Sequence, residues 1–225
     1  MRILLTGATG LLGGELLKLL LAEGHEIRCL LRRDSPNASR LDGVETFRGD
    51  AAEEEAVYRA LGGADALLHV AGIEYSPGVL AASRRAGVER VVVVGSTSVH
   101  SAYAFRAGPK LRMEELVRGS GLAWTIVRPS MIYGSERDRN VHRLLRFLDR
   151  SPVFPIFGPG TNLWQPVFHE DCARRTRSPE TPIVRTPQLR PAWSRTPCVS
   201  RHGENGGRGP GQESTHRQAA DRTSA

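Results

Sequence analysis

The chain has little cysteine: three residues in 225, Cys29, Cys172 and Cys198, far apart and odd in number. That excludes a disulfide framework and points to a reducing compartment, the cytoplasm. None stands in a CxxC pair, so no metal site is expected from them. Long apolar runs are also missing. Nothing approaches the roughly 18 consecutive apolar residues of a membrane span, so no membrane partner is expected. The opening MRILLTGATG enters a strand pattern at once, without a signal-peptide layout. Lysine is nearly absent: Lys18 and Lys110 stand against 29 Arg.

The net charge of +7 raises the question of nucleic acid. Its distribution answers it. Residues 174–225 carry ten Arg against four acids, whereas residues 1–173 hold 21 basic and 20 acidic side chains. The part that reads as a folded domain is nearly neutral. A small-molecule partner is therefore expected, and no nucleic acid. Nothing in the pattern specifies an oligomeric state.

Short apolar runs alternate with amphipathic stretches along residues 1–173. Residues 2–6 (RILLT) read as a buried parallel strand, and Leu11 to about Glu23 as a helix stopped by Gly24. Strands follow at 26–31, 44–48, 66–70, 90–94 and 123–127. Helices are expected at 53–61, 77–86 and 110–118, and a further one over 138–150. Residues 151–172 read as loop-rich. This order implies an α/β fold with a Rossmann-type doubly wound parallel sheet.

The tail reads differently. Residues 174–225 contain only four residues from the set Ile, Leu, Val, Phe and Met, and 32 of the 52 are Arg, Pro, Ser, Thr or Gly. Such a segment cannot bury enough apolar area to offset its ordering entropy, so it is expected to be disordered. Its Arg- and Pro-rich composition is what an out-of-frame reading of a GC-rich gene produces. The expected division is thus 1–173 as the folded domain and 174–225 as a disordered basic tail, frame-shifted or natural.

The chemistry starts at Thr6-Gly7-Ala8-Thr9-Gly10-Leu11-Leu12-Gly13, a TGxxGxxG loop between a buried strand and a helix. Glycines there permit a tight turn and close approach of backbone to a pyrophosphate, which sits at the positive end of the helix. Arg32 and Arg33 end the second strand, where an NAD site places an acid for the ribose 2′-OH. Two guanidinium groups suit a 2′-phosphate instead, so NADP is expected, and Asp34 keeps NAD as the alternative. Asp50 after the third strand, and His69, Val70, Ala71 and Gly72 after the fourth, lie at strand carboxyl ends, the cofactor edge of such sheets. Asp50 is a candidate for adenine, and Ala71 and Gly72 for close backbone approach. His69 reads more as a structural than a catalytic residue.

These pieces resemble the short-chain dehydrogenase/reductase superfamily in its extended and atypical branches, which include the NAD-dependent epimerase/dehydratase family and NmrA-like proteins. The matching stretches are TGATGLLG at 6–13, RGD at 48–50, HVAG at 69–72 and VVVVGSTSVH at 91–100. KLRMEELVRGSGLAWTIVRPSMIYG at 110–134 and QPVFHEDCAR at 165–174 continue the series in family order. The resemblance implies a Ser, a Tyr and a Lys acting together in general acid–base catalysis. It puts Ser96 at the serine position and Lys110 at the lysine position. The tyrosine position, four residues before the lysine, holds Arg106. Tyr103 is the candidate for reaching the site from a loop, since Pro109 is expected to stop the helix from extending back through it. Pro129 and Ser130 resemble the segment lining the nicotinamide, and Asn140, His142, Trp164 and His169 are candidates for a substrate pocket. The His169–Cys172 stretch lacks metal-motif spacing, so no metal is assigned.

The resemblance implies that residues 1–173 are an NAD(P)-binding Rossmann domain with a partial, truncated C-terminal substrate region, in an oxidoreductase or epimerase-like protein acting on a small carbonyl, hydroxyl or nucleotide-sugar substrate. The alternatives are a non-catalytic NAD(P)-sensing regulator or assembly factor of the NmrA-like kind, and an inactive truncated gene product.

Overall fold

A computed structural model describes residues 1–35, 37–138, 140–151, 153 and 165–177. All of them belong to one compact unit, Met1–Phe154 with Gln165–Ser194. The expectations for residues 178–225, for Cys198 and for Trp164 lie outside the described residues.

Strand β1 (Arg2–Thr6) is the middle of the domain. Its Ile3, Leu4 and Leu5 are fully buried, because a parallel strand is covered on both faces. It pairs in parallel with β2 (Glu26–Leu31) on one side and β4 (Ala66–His69) on the other, with Ile3 opposite Ile27 and Ala66. Strand β3 (Glu45–Arg48) closes the edge beyond β2; β5 (Arg90–Val94) and β6 (Ala123–Val127) extend the other side. The sheet order is β3-β2-β1-β4-β5-β6, so the winding reverses between β1 and β4.

Side chains alternate between two cores. Ile3, Leu5, Ala66, Leu68 and Val92 point to one face, where α1 (Leu11–Ala22) packs through Leu12, Leu16 and Leu20. Leu4, Leu67, Val91 and Val93 point to the other, covered by α2 (Glu54–Leu61) and α3 (Ser76–Ala86). Leu16 has no exposed surface, and its burial against β1 and β2 is worth roughly 2 kcal/mol. Truncation to Ala costs about 2–5 kcal/mol once the cavity is included. Gly24 takes a left-handed φ of 79° just past α1, as its position in the sequence anticipates.

Helix α4 (Ala104–Arg118) corrects one expectation. It starts six residues before Lys110 and carries Pro109 inside it, rather than being stopped there. The proline is exposed and lies in the second turn. The carbonyl it deprives of a helical donor, on Phe105, belongs to a residue that is 73% exposed, so the loss falls at the surface and not in the core.

Beyond the sheet, β7 (Met131–Tyr133) pairs in parallel with β8 (Pro166–Phe168). Helix α5 (Val141–Arg150) lies between them in sequence. Helix α6 (His169–Thr176) follows β8 and runs three residues past the expected domain boundary at 173. It packs on α1: Cys172 and Ala173 join the core containing Leu16 and Leu20, and Arg177 bonds Glu23 at 3.0 Å.

Candidate cofactor cleft and active site

The glycine loop sits at the reversal between β1 and β4, where open α/β sheets bind ligands. Two of its glycines are required by space. Gly7 has φ 75°, and a Cβ there would lie 2.8 Å from the Ala71 nitrogen; a Cβ on Gly13 would lie 2.1 Å from the Gly7 carbonyl oxygen. The loop is thus folded against the end of β4 on one side and against α1 on the other. Gly10 is the N-cap of α1, and no side chain caps the helix. Its first N–H groups are left for an anion.

A hydrogen-bonded seam fastens the two strand ends. Gly72 offers a carbonyl, which only accepts, so His69 Nε2 donates to it at 2.7 Å. Nδ1 then accepts from the Thr6 hydroxyl at 2.8 Å. The same Thr6 oxygen accepts from the backbone N–H of Val70 at 3.1 Å and of Ala71 at 3.3 Å. Burial pushes the His69 pKa down to about 4, against the opposing pull of its bond to the Gly72 carbonyl. His69 and Thr6 are therefore neutral struts that shape the loops, not groups that touch a cofactor.

A cleft of about 390 Å³ runs from this seam across the carboxyl ends of β1, β4 and β5. At one end Gly7, Gly10, Leu11, Leu12 and Gly13 line it; Val70 and Gly72 form its floor. At the other end stand Ser96, Lys110 and Pro129. The structure thus brings together most of the residues singled out in the sequence. It includes Ser130, as the family segment implied, and adds Ile73, Glu74 and Ile132 to the lining. Ile73 and Glu74 directly follow Gly72, so the strand-end rule that singled out 69–72 could have reached two residues further.

Other candidates lie elsewhere. Arg32 and Arg33 are exposed at the end of β2 with no ion-pair partner among the described residues. The Asp50 carboxylate accepts from the Ala52 N–H at 2.9 Å and so holds a local turn. Thr9 is half-buried, and its carbonyl accepts from Arg137 at 2.5 Å. Ala71 is exposed beside the cleft. The backbone N–H groups of Asn140 and His142 cap onto the Asp138 carboxylate at 3.1 and 2.8 Å, at the start of α5. His169 stacks at 4.6 Å on Phe168 and lies 3.7 Å from Glu15 on α1.

At the chemical end, Ser96 Oγ accepts from the Ser98 N–H at 3.2 Å, which leaves its hydroxyl proton for another acceptor. Lys110 Nζ donates to Ser98 Oγ at 2.9 Å and keeps its two other protons. Tyr103 is absent from the lining. It is the N-cap of α4, is 63% exposed, and lies 5.8 Å from the Phe105 ring with Arg106 alongside. Arg106 is exposed as well.

The sequence reading assigned no role to a pair that anchors this end. Glu114, fully buried one turn after Lys110, bonds Arg128 Nε at 2.7 Å and Arg118 at 2.8 Å. Burial works to raise its pKa, but the Arg128 and Arg118 guanidiniums prevail and hold it below the usual carboxylate range. Arg128 precedes Pro129 at the end of β6, so the pair ties α4, and with it Lys110, to the cleft wall. The four-residue spacing from Lys110 was the available signal. Burial holds the Cys29 thiol up at about 12; it raises Cys172 to about 11 despite a hydrogen bond with Thr176. Neither is a nucleophile near neutral pH.

Comparison with known proteins agrees with this geometry. A family described as NAD(P)H-binding matches residues 7–147. Ceramide reductase of Caulobacter vibrioides is 28% identical over 197 residues, covering 81% of this chain and 62% of the relative. A (4-alkanoyl-5-oxo-2,5-dihydrofuran-3-yl)methyl phosphate reductase of Streptomyces griseus is 37% identical over 132 residues, 56% of this chain and 46% of its own. The chain thus spans less than two thirds of these relatives. Among solved structures, the Citrobacter triphenylmethane reductase complexed with NADP(H) has a TM-score of 0.62 at 25% identity, covering 77% of this chain and 63% of its own. The Thermotoga maritima UDP-glucose 4-epimerase with UDP-glucose shares the fold, with a TM-score of 0.65 at 19% identity, covering 78% and 72%. A glycine loop without room for side chains, an uncapped helix and a cleft across the sheet reversal suit a dinucleotide, and the chain belongs to the NAD(P)H-binding family.

Proposed function

We propose that the protein is an NADP(H)-preferring oxidoreductase or epimerase-like enzyme acting on a small carbonyl, hydroxyl or nucleotide-sugar substrate. One observation carries the reading: a single cleft joins the glycine loop to Ser96 and Lys110. A bound nicotinamide supplies hydride to a carbonyl or takes it from a hydroxyl. The Ser96 hydroxyl is then a donor to the substrate oxygen. The Lys110 ammonium, held by Ser98, supplies positive charge and protons at the same end. Arg32 and Arg33, without acidic partners among the described residues, support NADP over NAD. The reductases among the relatives support carbonyl reduction. The nearly neutral charge of residues 1–173 favours a small-molecule partner over nucleic acid, and the free buried thiols of Cys29 and Cys172 suit the cytoplasm. Among the described residues no helix is long and apolar enough to cross a membrane.

The test is NADPH consumption against a panel of aliphatic ketones, aromatic carbonyls and nucleotide sugars, with Ser96→Ala and Lys110→Ala alongside. We expect turnover with at least one class, lowered about 10²–10⁴-fold by either substitution. A second reading, a non-catalytic NAD(P) sensor, is favoured by the position of Tyr103 outside the cleft. Tight NADPH binding with no turnover on any class supports it instead.

A further inference from the structure

The cleft holds an acid that the proposed chemistry leaves unused. Glu74 lines it together with Ser96, Lys110 and Ser130, and Glu74 and Lys110 are the charged residues among those that line it. Glu74 belongs to the short 3₁₀ turn Ile73–Tyr75, directly after β4. Ile73, 3% exposed, fixes that turn in the core, and the turn packs against α4, the helix that carries Lys110. The Glu74 carboxylate lies over Gly72, itself part of the cleft floor. Gly72 has φ 144°, and a Cβ there would come within 2.6 Å of Glu74 Oε1 and 2.8 Å of Oε2. The absent side chain of Gly72 is therefore the space that the carboxylate uses.

No other group of the fold engages this carboxylate. Among the described residues Glu74 makes no hydrogen bond and no ion pair, and Lys110, in the same cleft, bonds Ser98 instead. Two opposite charges thus share one cleft without meeting. Ile73 holds the turn, so the acid is not needed to build it. The cleft is polarised as a result. At one place the Ser96 hydroxyl and the Lys110 ammonium offer donors, which suit a carbonyl or hydroxyl oxygen. At the other, Glu74 offers acceptors and nothing else. A ligand that covers an ionised carboxylate strips it of water, and that loss is offset only if the ligand brings a donor of its own.

We propose that Glu74 is a specificity residue, and that the substrate is a carbonyl compound, or the corresponding alcohol, bearing a hydroxyl or ammonium donor beside the reacting carbon. A phosphate or carboxylate in that place is rejected by like charge. The inference rests on the oxidoreductase reading above and narrows its substrate class.

The test uses the full chain and four ketones matched around one carbonyl: hydroxyacetone, aminoacetone, butanone, which lacks the donor, and hydroxyacetone phosphate. Each is assayed for kcat/KM with NADPH, and each is titrated by ligand-observed NMR with and without NADP+. The parent is expected to favour hydroxyacetone and aminoacetone over butanone and the phosphate by about tenfold or more. Glu74→Gln should lower the aminoacetone-to-butanone ratio about tenfold and raise the phosphate-to-butanone ratio severalfold. It should lower the hydroxyacetone-to-butanone ratio less, because the amide oxygen still accepts. Glu74→Ala should abolish both donor preferences. Both variants should melt with the parent, since the side chain bonds nothing in the fold. The donor preference in binding, without turnover of any ketone, supports the assignment while removing the oxidoreductase reading. Turnover with no donor preference in the parent, or with one that Glu74→Ala leaves intact, overturns the assignment and spares that reading. A NADPH affinity that rises more than about twofold in Glu74→Gln places the carboxylate against the cofactor and also overturns it, as does failure of all four ketones to bind.

Discussion

At the glycine-loop end of the cleft the decisive contacts are made by backbone: Gly13 lies against the Gly7 carbonyl, Gly7 against the Val70–Ala71 peptide, and the α1 N–H groups stand open. At the Ser96–Lys110 end side chains set the geometry, through Lys110 on Ser98 and the buried Glu114 between Arg128 and Arg118. The first kind of site tolerates no added atom but is indifferent to most distant changes. The second depends on a buried charge, so its alignment fails if one partner goes. A pyrophosphate suits the first, because backbone N–H groups hold it, whereas substrate chemistry can be adjusted through the second.

Removing Glu114 should have the largest effect. Glu114→Ala leaves Arg128 with no carboxylate in a mostly buried position, and such a break costs about 3–5 kcal/mol. Denaturant unfolding should show that loss. Glu114→Gln, which retains shape and some hydrogen bonding, should lose less. If both variants unfold at the parent's midpoint, the catalytic end does not depend on the pair.

The seam between the two halves comes next, through pH. His69 has a folded pKa of about 4 against an ordinary 6.5. Above pH 6.5 it is neutral whether the chain is folded or not, and its contribution is fully present. Between pH 6.5 and 4 the unfolded chain takes up a proton that the folded one refuses, so stability falls by about 3 kcal/mol in all; below that the term is flat. Unfolding free energies measured across this window should show the slope in the parent and lose it in His69→Gln. An unchanged slope in that variant assigns the effect elsewhere.

Gly13→Ala should cost about 1–3 kcal/mol of stability, because the new Cβ meets backbone that has nowhere to go. Its more visible effect is on NADPH affinity, which should drop about tenfold or more as the loop shifts. Wild-type affinity would show that the loop yields more than a backbone-built site should. Tyr103→Phe is expected to do least: stability within about 0.5 kcal/mol and turnover unchanged, since the phenol is exposed and outside the cleft. A loss of turnover with normal NADPH binding would return Tyr103 to the chemistry.

The same contrast explains what the sequence made legible. The strands and the glycine loop follow from local rules: apolar runs, glycine spacing and a helix directly after, and these place the cofactor end almost residue by residue. Ser96 and Lys110 were reached through their spacing within the family pattern. The start of α4 is not legible from Pro109, because an interior proline in an exposed second turn costs the helix only a bond at its surface, at Phe105. The aim of Tyr103, the burial of Glu114 and the reach of Arg137 to Thr9 depend on elements that meet only after folding. No periodicity within one segment encodes them.

The place of β1 has a consequence for the order in which the domain acquires structure. Its first neighbour, β2, follows within about one helix, but its second, β4, comes 63 residues later, with Ile3 opposite Ala66. During synthesis this central strand, buried from Ile3 to Thr6, therefore waits with one edge and part of both faces uncovered until the chain has passed His69 and can form the Thr6 seam. Closing so long a loop is slow, and a half-paired apolar strand is open to association with other chains in the interval. Refolding yield should therefore fall with protein concentration, and a polar substitution at Leu4 or Leu68 should change that dependence more than one at the edge strand β3.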